Sequence, residues 1–407
     1  MKTLFLYARI GLRNIRRNVR RSLFTIAAIA FGLFSLIVFQ ALKVGLHQEM
    51  VNSTLGLDAA TIQVHAAGFE ANMALLQPIA GIERVREAMT GLGLTNFAER
   101  IKSPALLLAG RQSSSIMLTG INPKEEKAVT FIARRIIQGS YLAEADMVLL
   151  GRPLADSLGV GVGDEVILMA QGMPGRPATR KFVIGGLYQT DLPSFDRSHA
   201  YLPLPAARRF LGAEDAVTEI AVQADPEKAP ALAARLQEKL DPGVYQVRSW
   251  QQTVPDLVQL IALNDATMRL LIVIVFAIVA MGITNTMTTV IFERFREFGI
   301  MHAIGAGPGG IVSLVIIESF FLGAVAIMLG GVAGIAACLY LQQYGIDLSR
   351  FVSSNQYFAA GHVLRASMTA ADLLNAVLIT LATAIAAGIY PAWKAANMDP
   401  VKALLHT

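Results

Sequence analysis

The stretch LFTIAAIAFGLFSLIVFQAL, residues 23–42, runs for twenty residues without a charged side chain. As an α-helix, which rises about 1.5 Å per residue, it covers about 30 Å, the thickness of the hydrocarbon layer of a membrane. The composition agrees with a membrane setting, because 54% of the 407 residues are hydrophobic and 16% are charged, whereas soluble domains carry about 25% charged residues. We therefore predict a transmembrane helix at this stretch.

Three more apolar runs predict three more transmembrane helices. They occupy residues 270–292, 311–341 and 373–390, and one carboxylate, that of Glu318, lies inside the second of them. Buried helices of a soluble core would explain the shortest run taken alone. They do not explain four such runs in one chain.

A cleaved signal peptide is the alternative for the first run, since arginines precede it and AIA at residues 28–30 resembles a cleavage site. Only the apolar residues 23–27 precede that site, and the apolar run continues well beyond it. A signal peptide needs about 7 to 15 apolar residues before cleavage. The first run is therefore interpreted as an uncleaved anchor.

The first 22 residues carry seven basic side chains and no acidic one, although the net charge of the whole chain is only +5. Because Lys and Arg are enriched at the cytoplasmic ends of membrane spans, this arm places the N-terminus in the cytoplasm and predicts no nucleic-acid partner. An apolar stripe at helical spacing runs along the arm and consists of Leu4, Ala8, Leu12, Ile15 and Val19. It predicts an amphipathic helix over residues 1–22 in contact with membrane lipid. A solvated basic tail is the alternative.

Counting spans from a cytoplasmic N-terminus assigns a side to each remaining segment. Residues 43–269 and 342–372 are predicted to lie outside the cytoplasm, and residues 293–310 and the tail 391–407 to lie inside it. Pro391 is predicted to end the fourth span.

Residues 43–269 are long enough to fold around a core of their own, and no disulfide is available to them because Cys338 is the single cysteine. Two stretches repeat the order strand, helix, strand, which predicts a split ferredoxin-like layer. They comprise residues 60–64, 81–92 and 94–101, and residues 217–223, 226–240 and 244–248. Between them, residues 147–170 and 180–190 predict an inserted β-rich subdomain. The predicted fold is thus an α-helical membrane protein with four transmembrane helices and an α+β extracytoplasmic domain.

The chain shows no pattern typical of catalysis or of cofactor binding. Its six histidines are scattered, and none forms a pair at metal-ligand spacing. The glycine-rich GVGVGD at residues 159–164 lacks the Lys-Ser or Lys-Thr of a phosphate-binding loop, and there is no Gly-x-Ser-x-Gly motif. We therefore predict a non-catalytic chain without cofactor or metal.

The one internal cytoplasmic loop is ERFREFGIMHAIGAGPGG, residues 293–310. Its charged residues, which are predicted to carry the second span out of the membrane, are Glu293, Arg294, Arg296 and Glu297. An apolar edge at near-helical spacing consists of Phe295, Phe298, Met301 and Ile304. A short helix with such an edge fits a groove of another protein. A solvated turn whose phenylalanines lean on lipid is the alternative.

The third span contains two further features that need an explanation. Glu318 is a candidate for a proton or substrate role, as intramembrane carboxylates generally are, but it lies close enough to the inner end to pair with a neighbouring helix end. The small residues of the span are Gly323, Ala326, Gly330 and Gly334. They allow another helix to approach closely, either within the chain or across a dimer.

The whole chain resembles the permease subunits of ABC transporters of the MacB, FtsX and LolC/LolE type, the type VII or mechanotransmission family. The most specific motifs are NTMTTVIFERFREFGIMHAIGAGPGGIVSLVIIESFFLG at residues 285–323 and GIYPAWKAANMDPVKALL at residues 388–405. GVGVGDEVIL at 159–168 and RIGLRNIRRNVRRSLFTIAAIAFG at 9–32 are similar to the family less specifically. LGLDAATIQVHAAGF at 55–69 most resembles the lipoprotein-release branch.

The resemblance implies a bacterial inner-membrane protein with a periplasmic domain, a second permease copy or a related permease, and a separate dimeric ATPase that docks on residues 293–310 as a coupling helix. The cargo would be a lipoprotein or an amphipathic molecule, passed to a periplasmic carrier or adaptor. AQGMPGRPAT at 170–179 and TDLPSFDRSH at 190–199 are candidate loops for that contact. Lipoprotein or lipid release, efflux of small molecules or peptides, and signalling to a cell-wall hydrolase all stay open.

Overall fold

The structure is a computed structural model that describes residues 19–69, 76–142, 146–173, 175, 177–303, 307–347 and 363–397. Most of the predicted interfacial helix over residues 1–22, Ile304 and the tail from residue 398 lie outside the described residues. The chain divides into two units. The membrane unit contains the described residues of 1–47, 262–346 and 364–407, and the sheet unit contains those of 48–261 and 347–363.

The secondary structure follows the chain in this order. The helices are α1 (Val19–Thr54), α2 (Ile82–Thr90), α3 (Pro123–Val129), α4 (Arg152–Leu158), α5 (Pro193–Ser198), α6 (Leu204–Leu211), α7 (Ala229–Lys239), α8 (Trp250–Thr253), α9 (Pro255–Glu293), α10 (Phe295–Ala303), α11 (Pro308–Tyr344) and α12 (Ala370–Ala396). The strands are β1 (Ile62–Ala66), β2 (Phe97–Ala109), β3 (Gln112–Ile121), β4 (Ile136–Gly139), β5 (Met147–Gly151), β6 (Glu165–Gln171), β7 (Pro177–Tyr188), β8 (His199–Pro203), β9 (Glu219–Val222), β10 (Tyr245–Ser249), β11 (Ile346–Asp347) and β12 (Val363–Leu364). A π-helical turn, Leu55–Ala59, follows α1, and a 3-10 turn, Ile132–Arg134, follows α3.

Four helices of the described residues are long and apolar enough to cross a membrane, namely α1, α9, α11 and α12. With 27 to 39 residues each, they are roughly 40 to 60 Å long. They are therefore longer than the apolar runs that predict them. In particular, α1 continues past residue 42 to Thr54, and α9 begins at Pro255, well before residue 270.

Pro391 lies inside α12, which continues to Ala396, so the prediction that this proline ends the fourth span is wrong. A proline inside a helix leaves the carbonyl four residues earlier without its usual donor, and here that carbonyl belongs to Ala387. The Thr284 hydroxyl of α9 donates a hydrogen bond to it at 3.1 Å. Neighbouring helices can compensate for an intramembrane proline in this way.

The sheet unit contains a ferredoxin-like layer, as predicted. Its four strands lie in the order β10, β1, β9, β2, and each is antiparallel to its neighbours. The two strand-helix-strand repeats therefore interlock, with β9 between the parallel strands β1 and β2. The helix α2 connects β1 to β2, and α7 connects β9 to β10.

The inserted β-rich part, β3 to β8, continues this layer as one ten-stranded sheet. The reason is the length of β2. Its first residues pair with β9, its later residues 105–108 pair with β6, and β3 pairs with it along its other edge. A buried core that includes Leu107, Leu150 and Phe182 fills this half of the sheet unit.

Candidate functional site

The helix α10 forms the predicted cytoplasmic loop and is separated from α9 by a single residue, Arg294. The backbone N–H of Arg294 donates to the carbonyls of Val290 and Ile291, at 3.1 and 3.2 Å, and the N–H of Phe298 donates to the carbonyl of Arg294 at 3.1 Å. The hydrogen bonding of the helix thus continues through the break.

The side chain of Arg294 is buried and joins α10 to α11. Its Nη1 lies 3.2 Å from Oε2 of Glu318, and its Nε donates to Oε2 of Glu297 at 2.8 Å. The guanidinium also stacks over the ring of Phe298, 5.1 Å from its centroid. Arg294 and Glu318 are only 6% and 7% exposed. Glu318 therefore pairs with a neighbouring helix end, one of the two roles that its position in the sequence allows.

Phe298 lies on the predicted apolar stripe of α10, but that stripe faces the membrane unit and not another protein. Its side chain is buried in a cluster with residues of α9, α11 and α12, and Met301 packs partly buried against the same cluster. The other buried members are Ile291, Ile311, Leu314, Val315, Ala392 and Ala395. The prediction that Phe298 is presented to another protein is therefore wrong, because the membrane unit itself covers its side chain and part of that of Met301. Only the backbone of Phe295 is described, and Ile304 lies outside the described residues.

A different face of α10 is exposed. Arg296 and Ile300, four residues apart on α10, are both exposed, and so is Glu293 at the end of α9. Ile300 is 46% exposed and does not belong to the predicted edge. A sequence signal for this face exists, because Ile300 is an apolar residue one helical turn from the charged Arg296. An exposed apolar side chain beside a charged one is suited to contact with another protein.

The small residues of α11 are used within the chain. A Cβ atom at Gly330 would collide with the backbone carbonyl of Ala30 in α1, and one at Gly334 would lie 3.0 Å from the side chain of Ile37. Gly323 faces α12, where a Cβ would lie 3.3 Å from that of Ala384. Ala326 is fully buried in the cluster that joins α1, α9, α11 and α12. The Gly-x-x-x-Gly track therefore serves close helix packing inside the membrane unit.

A buried cluster of charges in the sheet unit was not predicted from the sequence. We call it the Arg100 cluster; it consists of Asp58, Arg100, Lys102, Glu126 and Glu219. Arg100 donates to both carboxylate oxygens of Glu126, at 3.1 and 2.6 Å, and to Glu219 at 2.7 Å. It also donates to the backbone carbonyl of Asp58 at 2.6 Å. Lys102 lies 2.7 Å from the Asp58 carboxylate and 3.0 Å from that of Glu219.

Two members of the cluster, Glu219 and Lys102, are held in the charged state by their neighbours. Burial alone would raise the pKa of Glu219, but Lys102 and Arg100 lower it below its usual value. Burial likewise disfavours the charged form of Lys102, yet Asp58 and Glu219 raise its pKa. The cluster fixes the π-helical turn after α1 to β2 and β9. The sequence signal was weak: Arg100 and Lys102 are two residues apart and so share one face of a strand, but their acidic partners come from three distant segments.

Two families match most of the chain between them. Residues 22–239 match the family described as MacB-like periplasmic core domain, and residues 269–400 match the family described as FtsX-like permease C-terminal. The chain belongs to the MacB/FtsX family of ABC transporter permeases. It is therefore a membrane permease subunit with a periplasmic domain, and members of its family act with ABC ATPase subunits and partner permeases.

The relatives of this permease include proteins with different cargoes. The lipoprotein-releasing system transmembrane protein LolC of Xylella fastidiosa is 26% identical over 420 residues, which cover 97% of this chain and 97% of LolC. The macrolide export ATP-binding/permease protein MacB 1/2 of Paracoccus denitrificans is 23% identical over 97% of this chain, and the match spans 58% of that protein. The solved periplasmic region of MacB from Actinobacillus actinomycetemcomitans gives a TM-score of 0.35 at 15% identity, over 50% of this chain and 94% of that structure.

Proposed function

We propose that this permease belongs to a lipoprotein-releasing ABC transporter and that α10 receives the work of a separate ATPase. The coupling role is supported mainly by one observation: one side of α10 is buried in the membrane unit and another side is exposed. Phe298 and Arg294 are buried in the membrane unit, whereas Arg296 and Ile300 are exposed. A helix anchored firmly on one side and exposed on the other is suited to pass a partner's movement to the spans. In this proposal α10 and both termini lie in the cytoplasm.

The lipoprotein cargo is supported by the relatives and by the membrane unit. Several relatives that match the chain over nearly its full length are named as lipoprotein-releasing proteins. Between α1 and α9 lies a pocket whose exposed lining is entirely apolar, with Leu36, Phe39, Leu271 and Phe276 among its residues. An apolar opening between two spans suits acyl chains better than a hydrophilic solute.

A carrier would meet the hairpin of β6 and β7, which contains most of residues 170–179. Beside this hairpin lies an open, mainly apolar groove whose lining includes Leu106, Ile116 and Met169. The second candidate loop, residues 190–199, is held internally instead. Its Asp196 is fully buried and accepts hydrogen bonds from the backbone N–H and the hydroxyl of Thr190.

Efflux of small molecules or peptides with a periplasmic adaptor is the second candidate. The match of residues 22–239 to the MacB-like periplasmic core domain favours it. The two candidates differ in what accompanies the permease and its ATPase, since release requires a lipidated protein and efflux requires an adaptor.

The test is affinity purification of the chain from its own membranes in mild detergent, with mass spectrometry of the co-purifying proteins. We expect an ABC ATPase, a related or identical permease and a lipidated protein. An adaptor in place of the lipidated protein would favour efflux, and the absence of an ATPase would contradict the coupling role.

A pair of matched variants locates the ATPase contact. Ile300→Asp should remove the ATPase from the purified complex, because it places a charge on the exposed face of α10. Ile137→Asp is the control, since Ile137 of β4 is also 46% exposed but lies in the sheet unit. Equal recovery of the ATPase with both variants would contradict docking on α10.

A further inference from the structure

Within the membrane unit, α11 contacts each of the elements that a movement of α10 would have to reach. It meets α1 at Gly330 and Gly334, and α12 at Gly323, in contacts too close to admit a larger side chain without displacement. It meets α10 and its junction with α9 through Glu318, which pairs with Arg294 at 3.2 Å, and through the cluster around Phe298. A displacement of α10 can therefore reach α1 and α12 by way of α11.

We propose that Arg294 is a positioning residue that fixes α10 to α11 through Glu318, so that α11 moves whenever α10 is moved. This inference rests on the proposed coupling function. It assigns to the intramembrane carboxylate a mechanical role in place of a proton or substrate role.

The chemistry of the pair suits this role. The contacts around Phe298 are apolar and hold α10 against α11, but the hydrophobic effect is non-directional. A guanidinium is planar and binds carboxylates in a defined geometry. Leaving one charge of a buried pair without its partner is costly, because its solvation has already been lost. The Arg294–Glu318 pair therefore fixes the orientation of α10 relative to α11, whereas the apolar cluster alone only keeps the two helices in contact.

The two carboxylates around Arg294 are not equivalent. The side chain of Glu318 is 9% exposed and belongs to α11, whereas that of Glu297 is 41% exposed and lies within α10, three residues from Arg294. Only the pair with Glu318 connects two elements. Glu297→Gln is consequently a matched control for Glu318→Gln, since each removes one negative charge from the same guanidinium.

The first measurement uses the full-length permease alone in lipid nanodiscs, with Cys338, the single native cysteine, replaced by alanine. Spin labels at Ile300→Cys in α10 and Phe320→Cys in α11, both exposed positions, report the distance between the two helices. We expect a narrow distance distribution for the parent protein and for Glu297→Gln, and a clearly broader one for Glu318→Gln. In the Glu297→Gln background, which removes a like charge beside position 294, the double variant Arg294→Glu/Glu318→Arg should restore the narrow distribution.

The second measurement uses unlabelled permease reconstituted with the ATPase that co-purifies with it. For Glu318→Gln we expect the ATP hydrolysed per lipoprotein released to rise about tenfold, an effect of the size that single contacts have on coupling, while the ATPase still binds. The charge-reversed double variant should recover most of the loss. A narrow distribution for Glu318→Gln, equal broadening by Glu297→Gln, or no recovery in the reversed pair would overturn the inference. If the parent complex hydrolyses ATP without releasing lipoprotein, the proposed function is refuted instead. The distance measurement, which uses the permease alone, would still test the role of the Arg294–Glu318 pair.

Discussion

At the scale of single residues, the membrane unit depends on polar groups that satisfy each other inside the hydrocarbon layer. Thr284 is the clearest case. Its hydroxyl donates to the carbonyl of Ala387, the acceptor that Pro391 leaves without its normal helical donor. The threonine hydroxyl thus supplies the hydrogen bond that the proline removes from α12.

This relation predicts a double-mutant cycle. Thr284→Val should lower the free energy of unfolding by about 0.6 kcal/mol, the typical value for a hydrogen bond between membrane helices. In a Pro391→Ala background the cost should become smaller, because the N–H of the alanine can bond to Ala387 itself. Unfolding in mixed detergent micelles, followed by the reactivity of the buried Cys338 thiol, measures both values.

Thr288→Val is the control for this cycle, because the Thr288 hydroxyl donates to the carbonyl of Thr284 in its own helix, at 2.7 Å. Its cost should be the same with and without Pro391. If Thr284→Val also costs the same in both backgrounds, the compensation of the proline by the threonine is refuted.

At the scale of elements, α10 illustrates what a periodic pattern establishes and what it does not. The spacing of Phe298 and Met301 predicts a helix with an apolar stripe, and both features are present. The same spacing does not say which neighbour covers the stripe. That neighbour includes Ala392 and Ala395, almost one hundred residues further along the chain. A local pattern therefore gives the helix but assigns the wrong partner.

The burial of Phe298 changes the outcome expected for its substitution. Phe298→Ala should lower the free energy of unfolding of the membrane unit by about 3 kcal/mol, as for a large side chain removed from a packed core. Phe320→Ala, the control, removes a phenylalanine of α11 that is 43% exposed and should cost much less. Thermal unfolding with a thiol-reactive dye at Cys338 compares the two. Equal unfolding temperatures would show that Phe298 does not anchor α10.

At the scale of the whole molecule, features that repeat along the chain were predictable and features assembled from distant segments were not. Four apolar runs gave four membrane helices, and two strand-helix-strand repeats gave the interlocked layer of β10, β1, β9 and β2. The Arg100 cluster joins the turn after α1 to β2, α3 and β9. Each of its charges is unremarkable in its own segment, so only the folded chain reveals that they neutralise one another.

The orientation of the chain in the membrane is the remaining whole-molecule prediction, and it rests on the seven basic residues among the first 22. In a Cys338→Ala background, single cysteines replace Glu238 in the sheet unit and Arg296 in α10, both exposed. We expect a membrane-impermeant maleimide to label the cysteine at 238 in intact spheroplasts. The cysteine at 296 should react only after lysis, in membranes washed with urea to remove a bound ATPase. Labelling of position 296 in intact spheroplasts would place α10 outside the cytoplasm. A cytoplasmic ATPase could not bind it there, so both the predicted orientation and the coupling role would be refuted.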